Sequence, residues 1–180
     1  MQDFLIDTTR LVHRTMNRRL PTGVDRVSLA YIRHYRTHAR AVIRHNKGKF
    51  VFRCNESQRI FDWLFSFGKS EYLRPLIYKG LISGCMAQKV AGGLESDEYV
   101  SMLRDQQVRP IFMVHDVIPI SHPNYCRSGE RAKHINRIKN AMHIANGIVC
   151  NSQATMDSLV ETCRAFQWNM PPTVVALLAS

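Results

Sequence analysis

The sequence predicts an α/β fold with a Rossmann-like, doubly wound and mostly parallel sheet. Short apolar runs alternate with segments whose apolar residues recur at helical spacing, which is the pattern of β-α-β units. The run Ile111 to Val114 is apolar throughout, as expected of a strand covered by helices on both faces. Polar residues directly follow three of the apolar runs, and parallel sheets present ligand-binding groups at such strand ends.

The first half begins with the strand candidate Phe4-Leu5-Ile6, which closes on Asp7 and leads into a stretch rich in arginine. Thr22 is expected to begin a helix, because T-x-x-D with Asp25 resembles a capping box. Residues 68–93 give no clear pattern, so irregular or short helical structure is expected there. The remaining periodicity predicts strands over 41–43 and 50–52 and helices over 56–67 and 97–107.

The second half is more regular. After the strand 111–114, Ser128 is expected to cap a helix that Gly147 interrupts. A strand over 148–150 then ends at Asn151-Ser152, and Ser152 is expected to cap the next helix. Residues 173–177 are predicted as the last strand.

Charge is the unusual feature of the composition. The 180 residues carry 25 Lys and Arg against 14 Asp and Glu, a formal net charge of +11. This favours an acidic partner such as a phosphorylated ligand, an anionic membrane surface or nucleic acid, although a basic surface without a partner is also consistent. A nucleic-acid partner is not expected, because no nucleic-acid-binding motif is present and the arginines are scattered. No apolar run approaches transmembrane length, and the first residues do not resemble a signal peptide.

The cysteines point to a reducing compartment. There are five, an odd number, and no two of them form a CxxC pair. They are therefore expected to be reduced thiols in a cytosolic protein, with no disulfide framework and no metal site.

The strand end at His115-Asp116 is the most informative local feature. Two titratable residues follow a buried strand, and Pro119 and Pro123 restrict the backbone of the loop that comes next. A stiff loop positions functional groups well, so His115 and Asp116 are candidate catalytic residues. Each also has a plain structural interpretation, since His115 could bond a neighbouring loop and Asp116 could serve only a turn.

Two further pairs are candidates for binding a ligand. Thr22 and Gly23 stand at a predicted helix N-terminus, where backbone N–H groups can approach a phosphate. Asn151 and Ser152 end the strand that follows the His115 segment. All four residues could instead be helix caps. The sequence contains neither a P-loop motif nor a dinucleotide-binding fingerprint.

Three segments together resemble the amino-terminal half of bacterial family-4 glycosyltransferases. They are PTGVDRVSLAYIRH, VRPIFMVHDVIPISHPNYCRSGE and ANGIVCNSQATMDSL, and they occur in the family's order over nearly the whole chain. The resemblance implies a GT-B enzyme that moves a sugar from a nucleotide diphosphate donor to a glycan or lipid-linked acceptor with retention of configuration. No other cofactor is implied. Residues 1–180 would be the Rossmann-like domain on the acceptor side.

The resemblance also implies roles for the candidate residues. Gly23, with Thr22 beside it, would lie in the loop that approaches the donor phosphates. His115 would meet the transferred sugar, Asp116 would contact an acceptor hydroxyl, and Asn151 and Ser152 would share the same rim. The implied location is the cytoplasm, with peripheral contact to the inner membrane as an option.

The sequence departs from the family in two places. The donor-binding domain is missing, and with it the E-x7-E pattern, so the chain alone is expected to be catalytically incomplete. The segment GCMAQKVAGGLE, residues 84–95, lacks the clear apolar strand of the family. The alternative function is a basic, non-enzymatic binding module for a phosphorylated ligand, a membrane surface or a partner chain, including a second-domain chain or another copy of itself.

Overall fold

The computed structural model describes residues 4–45, 48–69, 93–105 and 109–177. In these ranges the protein is a mixed α/β structure with seven α-helices and two three-stranded, mostly parallel sheets. It forms two compact units, residues 1–90 and 91–180, each with its own hydrophobic core. The predictions for 68–93 and for the broken strand at 84–95 lie largely outside the described residues.

Within its described residues, the first unit combines one sheet with three helices. The strands β1 and β2 are parallel, with Ile6 paired to Ala41, whereas β3 runs antiparallel to β2. The core is fully buried around Ile32, Phe61 and Trp63. In chain order the elements are β1 (Phe4–Asp7), α1 (Thr9–Met16), α2 (Gly23–Tyr35), β2 (Ala39–His45), β3 (Gly48–Val51) and α3 (Cys54–Phe65).

Helix α1 was not predicted, because arginines interrupt the apolar residues of this stretch. The structure buries only Leu11 and Val12 fully from this helix. Its first turn is tied to the sheet by Thr8, which precedes the helix and donates both its N–H and its hydroxyl to the carbonyl of Val42, at 2.8 and 3.0 Å. The helix therefore depends on tertiary contacts that a short local pattern does not carry.

The second unit has an all-parallel sheet in the order β4-β5-β6. Strand, helix and strand follow one another twice, so the unit is built from β-α-β connections, as predicted. Ile148 and Leu159 lie at the centre of its core, with exposures of 1% and 0%. In chain order the elements are α4 (Asp97–Asp105), β4 (Ile111–Val114), α5 (Ile118–Ser121), α6 (Glu130–Ile144), β5 (Gly147–Cys150), α7 (Gln153–Ala165) and β6 (Thr173–Val175).

Two predicted boundaries need correction. Gly129, not Ser128, precedes the first residue of α6, and it adopts φ = 81°, a left-handed conformation that glycine tolerates best. Strand β6 ends at Val175 rather than Leu177. The other predicted strands and helices that lie within the described residues are present, and their ends match or differ by about two residues.

Four of the five cysteines lie within the described residues. Cys54, Cys126, Cys150 and Cys163 are all free, and the last two are buried. Burial raises the pKa of both the Cys150 and the Cys163 thiol. Within the described helices, none combines the length and apolar character needed to cross a bilayer.

The edge strand β6 leaves apolar side chains in solvent. Val174 is 59% exposed and Leu177, just beyond the strand, is 79% exposed, as expected from the sequence. An exposed apolar edge strand is a template for pairing with another chain.

We predict that sedimentation across a concentration series shows self-association, and that Val174→Lys weakens it. Ser101→Lys on the exposed face of α4 is the matched control, and a strictly monomeric parent protein would contradict the prediction.

Candidate functional site

The carboxyl edge of the second sheet brings four of the six predicted site residues together. Strands β4 and β5 are parallel and end in register, with Val114 paired to Cys150. His115 and Asp116 therefore leave the sheet beside Asn151 and Ser152. Sequence alone predicted this arrangement from the order of strands, since adjacent parallel strands end at the same edge.

Thr155, in the first turn of α7, connects the two strand ends. Its Oγ1 lies 3.0 Å from the carbonyl oxygen of His115 and 2.8 Å from Oδ1 of Asn151. Ser152 Oγ accepts the Thr155 N–H at 3.1 Å and lies 3.0 Å from Thr155 Oγ1. Thr155 is itself buried, at 8% exposure. A hydroxyl carries one proton, so Thr155 donates either to His115 or to Asn151 at a given moment.

These bonds define what Asn151 and Ser152 can do. Ser152 caps α7, as the sequence predicted, and its oxygen is committed to that helix. Asn151 turns its carbonyl oxygen toward Thr155, and within the described residues its Nδ2 amide makes no hydrogen bond. The Asn151 amide is therefore the donor that this strand end can offer to a ligand.

Asp116 is exposed and stabilises the turn into α5. Its Oδ1 accepts the N–H of Ile118 at 3.1 Å, which is the local bond expected of an aspartate in a turn. A carboxylate bound through one oxygen still has accepting capacity for a hydroxyl group. His115 is half-buried, and its carbonyl oxygen is one of the acceptors near Thr155.

His134 on α6 holds the same turn from the other side. Its Nε2 lies 3.2 Å from the carbonyl oxygen of Asp116, and its Nδ1 lies 3.4 Å from a guanidinium nitrogen of Arg137. A carbonyl can only accept and a guanidinium can only donate, so the neutral ring carries its proton on Nε2. Arg137 in turn contacts Glu95 Oε2 at 3.4 Å. The chain Glu95, Arg137, His134 thus ends on the backbone of the candidate catalytic pair.

The environment of His134 favours the neutral form of the ring. Burial lowers the pKa of His134, and the positive charge of Arg137 lowers it further, although the bond to the Asp116 carbonyl opposes both effects. Sequence reasoning missed His134 and Thr155. The sequence marks α6 only as a helix with a polar face and α7 only as a helix with a cap. His134 contacts Asp116, 18 residues away, and Thr155 contacts His115, 40 residues away.

The predicted ligand-binding pair Thr22-Gly23 lies in the first unit, at the start of α2. Both the N–H and the hydroxyl of Thr22 donate to Asp25 Oδ2 at 2.7 Å. Asp25 is only 1% exposed, and the guanidinium nitrogens of Arg10 and Arg14 each lie 2.8 Å from its carboxylate. Burial raises the pKa of Asp25, but the hydrogen bonds from Thr22 and Arg10 outweigh burial, so the net pKa lies below its usual range.

The Asp25 carboxylate already binds the donors that Thr22 offers at this helix N-terminus. The Thr22 donors are already committed, and the carboxylate already compensates the helix dipole. A Cβ added to Gly23 would meet no atom within 4 Å, so the described neighbours leave room there. Phosphate binding by Thr22 and Gly23 stays a prediction. In the structure Thr22 is the residue before α2, and both its N–H and its hydroxyl donate to Asp25.

Asp7 ends β1 in the first sheet and makes local bonds. It accepts the N–H of Thr9 at 2.9 Å and pairs with Arg44 at 2.7 Å. That Asp7 and Gly23 share one rim with His115, Asp116 and Asn151 stays a prediction. Across the described residues, no group of three or more His, Cys, Asp or Glu side chains could hold a metal ion.

The net charge belongs entirely to the first unit. Residues 1–90 contain 17 Lys and Arg against 6 Asp and Glu, whereas residues 91–180 contain 8 of each kind. The segment that contains the His115 strand end therefore contributes no net positive charge to the chain. The two candidate regions have different electrostatic character, which bears on what each of them can bind.

We predict that Asp25→Asn destabilises the first unit by about 2–3 kcal/mol, because the amide loses a charge-assisted hydrogen bond to Arg10 and an ion pair with Arg14. Asp25 stabilises the fold above its unfolded pKa near 4, and this contribution is lost as pH falls through the lower folded pKa. The variant should therefore lose less stability in acid than the parent. Hydrogen exchange of the α2 amides measures both effects.

Asp62→Asn is the control for this test. Asp62 pairs with Arg36 at 2.7 Å on the surface, at 61% exposure, so its loss should cost less than about 1 kcal/mol. Equal losses for the two variants would show that the buried position of Asp25 confers no special stability.

We predict that NMR finds His134 in the Nε2–H form with a pKa below the ordinary value of about 6.5. Because the unfolded chain gains this proton first, His134 should make the second unit less stable as pH falls below about 6.5. Arg137→Ala should raise the pKa and mix the two tautomers. Arg131→Ala, exposed on the same helix, should change neither, and an unchanged His134 in Arg137→Ala would refute the contact chain.

Comparisons with known proteins identify no relative. No family model, no curated protein and no solved structure matches this chain. What the chain does must therefore be inferred from its own residues and their geometry.

Proposed function

We propose that this chain is the acceptor-side, Rossmann-like domain of a GT-B glycosyltransferase similar to family 4. The observation that carries the proposal is the pair of adjacent strand ends, His115-Asp116 and Asn151-Ser152, which Thr155 joins at one sheet edge. The proposal includes a doubly wound sheet organisation for the whole domain, residues 1–180. It also includes a donor-binding domain that these residues do not supply.

Each strand end has a role in this proposal. The Asp116 carboxylate accepts a hydroxyl of the acceptor, while the Asn151 amide donates to an oxygen of the acceptor or of the transferred sugar. His115 meets the transferred sugar. The acceptor hydroxyl attacks from the face that the leaving diphosphate vacates, and the diphosphate helps to remove the proton. These residues contribute positioning and electrostatic stabilisation, and no covalent nucleophile is needed.

The proposed substrates are a nucleotide diphosphate sugar and a glycan or lipid-linked acceptor. Thr22 and Gly23 would approach the donor phosphates, which would compete with Asp25 for the Thr22 donors and for Arg10 and Arg14. No further cofactor is part of the proposal. The enzyme would be located in the cytoplasm, in contact with the inner membrane.

A second candidate function is a basic, non-enzymatic binding module. The observation that favours it is the charge difference between the two units, with the whole excess of positive charge in residues 1–90. Such a module would bind a phosphorylated ligand, a membrane surface or a partner chain. It would need neither His115 nor Asn151.

Glycan binding and turnover together test the first proposal. We predict that acceptor glycans shift the amide resonances of His115, Asp116 and Asn151, and that Asn151→Ala weakens binding about 5- to 20-fold by removing one hydrogen bond near a charged group. Asn169→Ala, exposed beyond the far end of α7, is the matched control. Glycans that bind elsewhere, or not at all, would refute the acceptor-side assignment.

Turnover gives the second measurement. With labelled nucleotide sugars and membrane or oligosaccharide acceptors, we predict no transfer by the chain alone above a His115→Ala control, because donor positioning requires the second domain. Transfer that exceeds this control would show that the chain builds a donor site by itself.

A further inference from the structure

The first unit exposes a mixed cationic and apolar surface around the turn between α1 and α2. Arg18, Arg19 and Leu20 lie in this turn, and Leu20 is 82% exposed. Phe67, which follows α3, is 59% exposed. Arg19, Pro21 and Phe67 line the same small cavity, so the two residues that flank Leu20 in the chain lie beside Phe67. We call Arg18, Arg19, Leu20 and Phe67 the Leu20–Phe67 patch.

The turn that carries Leu20 is held in place by hydrogen bonds. The N–H groups of Arg18 and Arg19 donate to the carbonyls of Thr15 and Arg14 at 3.1 and 2.9 Å. The Arg14 guanidinium bonds the carbonyl of Leu20 and at the same time pairs with the buried Asp25. Leu20 is thus presented to solvent by a fixed backbone, not by a loose loop.

Phe67 is presented by a strained backbone. Its φ is 51°, in the left-handed region that a bulky side chain rarely adopts, and Gly68 follows with φ = 76°. A Cβ on Gly68 would lie 2.8 Å from the Thr15 side chain, so this turn packs directly on the end of α1. Arg18 also has a positive φ, 53°. Such conformations carry an energetic cost and cluster at functional surfaces.

The composition of the patch favours one class of partner. Arginines beside two large exposed apolar side chains match a bilayer surface, where cations meet anionic headgroups and apolar side chains enter the acyl boundary. A small phosphorylated ligand would gain nothing from Leu20 and Phe67 in solvent. The whole excess positive charge of the chain lies in this unit, which strengthens attraction to an anionic surface.

We infer that the Leu20–Phe67 patch docks the protein on an anionic membrane surface. The arginines supply electrostatic attraction, and Leu20 and Phe67 insert among the headgroups. This inference does not rest on glycosyl transfer. It specifies a partner and a surface for the binding-module alternative, and it holds equally if the domain belongs to a transferase.

Vesicle co-sedimentation of the full chain tests the inference. Phosphatidylcholine vesicles that contain phosphatidylglycerol should bind the protein, and pure phosphatidylcholine vesicles should bind it at least tenfold more weakly. Replacing both Arg18 and Arg19 with Gln should weaken binding about 25-fold, at roughly fivefold for each cation. Leu20→Ser should weaken binding about tenfold, because it removes one inserted apolar side chain.

Phe67→Asn separates membrane contact from folding. Asparagine accepts a left-handed backbone better than phenylalanine, so this variant should melt no lower than the parent while it loses about tenfold in vesicle affinity. If Phe67 had a purely structural role, Phe67→Asn would lower the melting temperature and the vesicle affinity together.

Two control variants complete the design. Arg53→Gln removes one exposed charge at the opposite end of α3, about 20 Å along the helix from Phe67, and should cost less than twofold. Tyr125→Ser removes an exposed aromatic side chain from the second unit and should have no effect. Several outcomes would overturn the inference: equal binding to neutral vesicles, no binding to anionic vesicles, unchanged binding by Leu20→Ser and Phe67→Asn, or tighter binding to duplex DNA at the same salt concentration.

Discussion

The buried carboxylate of Asp25 is the interaction on which the first unit depends. It caps α2 through Thr22, and it fixes Arg10 and Arg14 of α1 at 2.8 Å. Arg14 then positions the turn that carries Leu20, so one carboxylate sets the start of one helix, the packing of another and the shape of the surface between them. A unit with so much positive charge gains from a single well-placed anion at its centre.

The two units use different interactions to hold their helices and strand ends in place. In the first, an ion pair joins neighbouring helices, and the positive charge is left on the outside. In the second, neutral hydrogen bonds from Thr155 and His134 hold the strand ends, and charge is balanced. The first arrangement suits attraction to a large anionic surface. In the proposed transferase, the second would recognise an uncharged polyhydroxyl ligand through hydrogen bonds of defined direction.

Sequence periodicity predicted most of the strands and helices, and parallel topology then predicted that His115, Asp116, Asn151 and Ser152 meet. It could not predict Thr155 or His134 as their supports, because those contacts join residues far apart in the chain. Helix α1 escaped prediction because its short apolar stripe, Leu11, Val12 and Met16, lies among arginines, two of which pair with Asp25. The uneven distribution of charge is visible in the sequence, but only the boundary between the two units shows that all of the excess positive charge belongs to the first unit.

The single proton of the Thr155 hydroxyl couples two neighbouring strand ends. While it bonds Asn151, the His115 carbonyl lacks that donor, and the reverse holds when it turns. A ligand hydroxyl that donates to Asn151 Oδ1 would release the Thr155 proton to His115. A ligand bound at Asn151 would then change the hydrogen bonding of the His115 carbonyl through the rotation of one hydroxyl, with no displacement of the backbone.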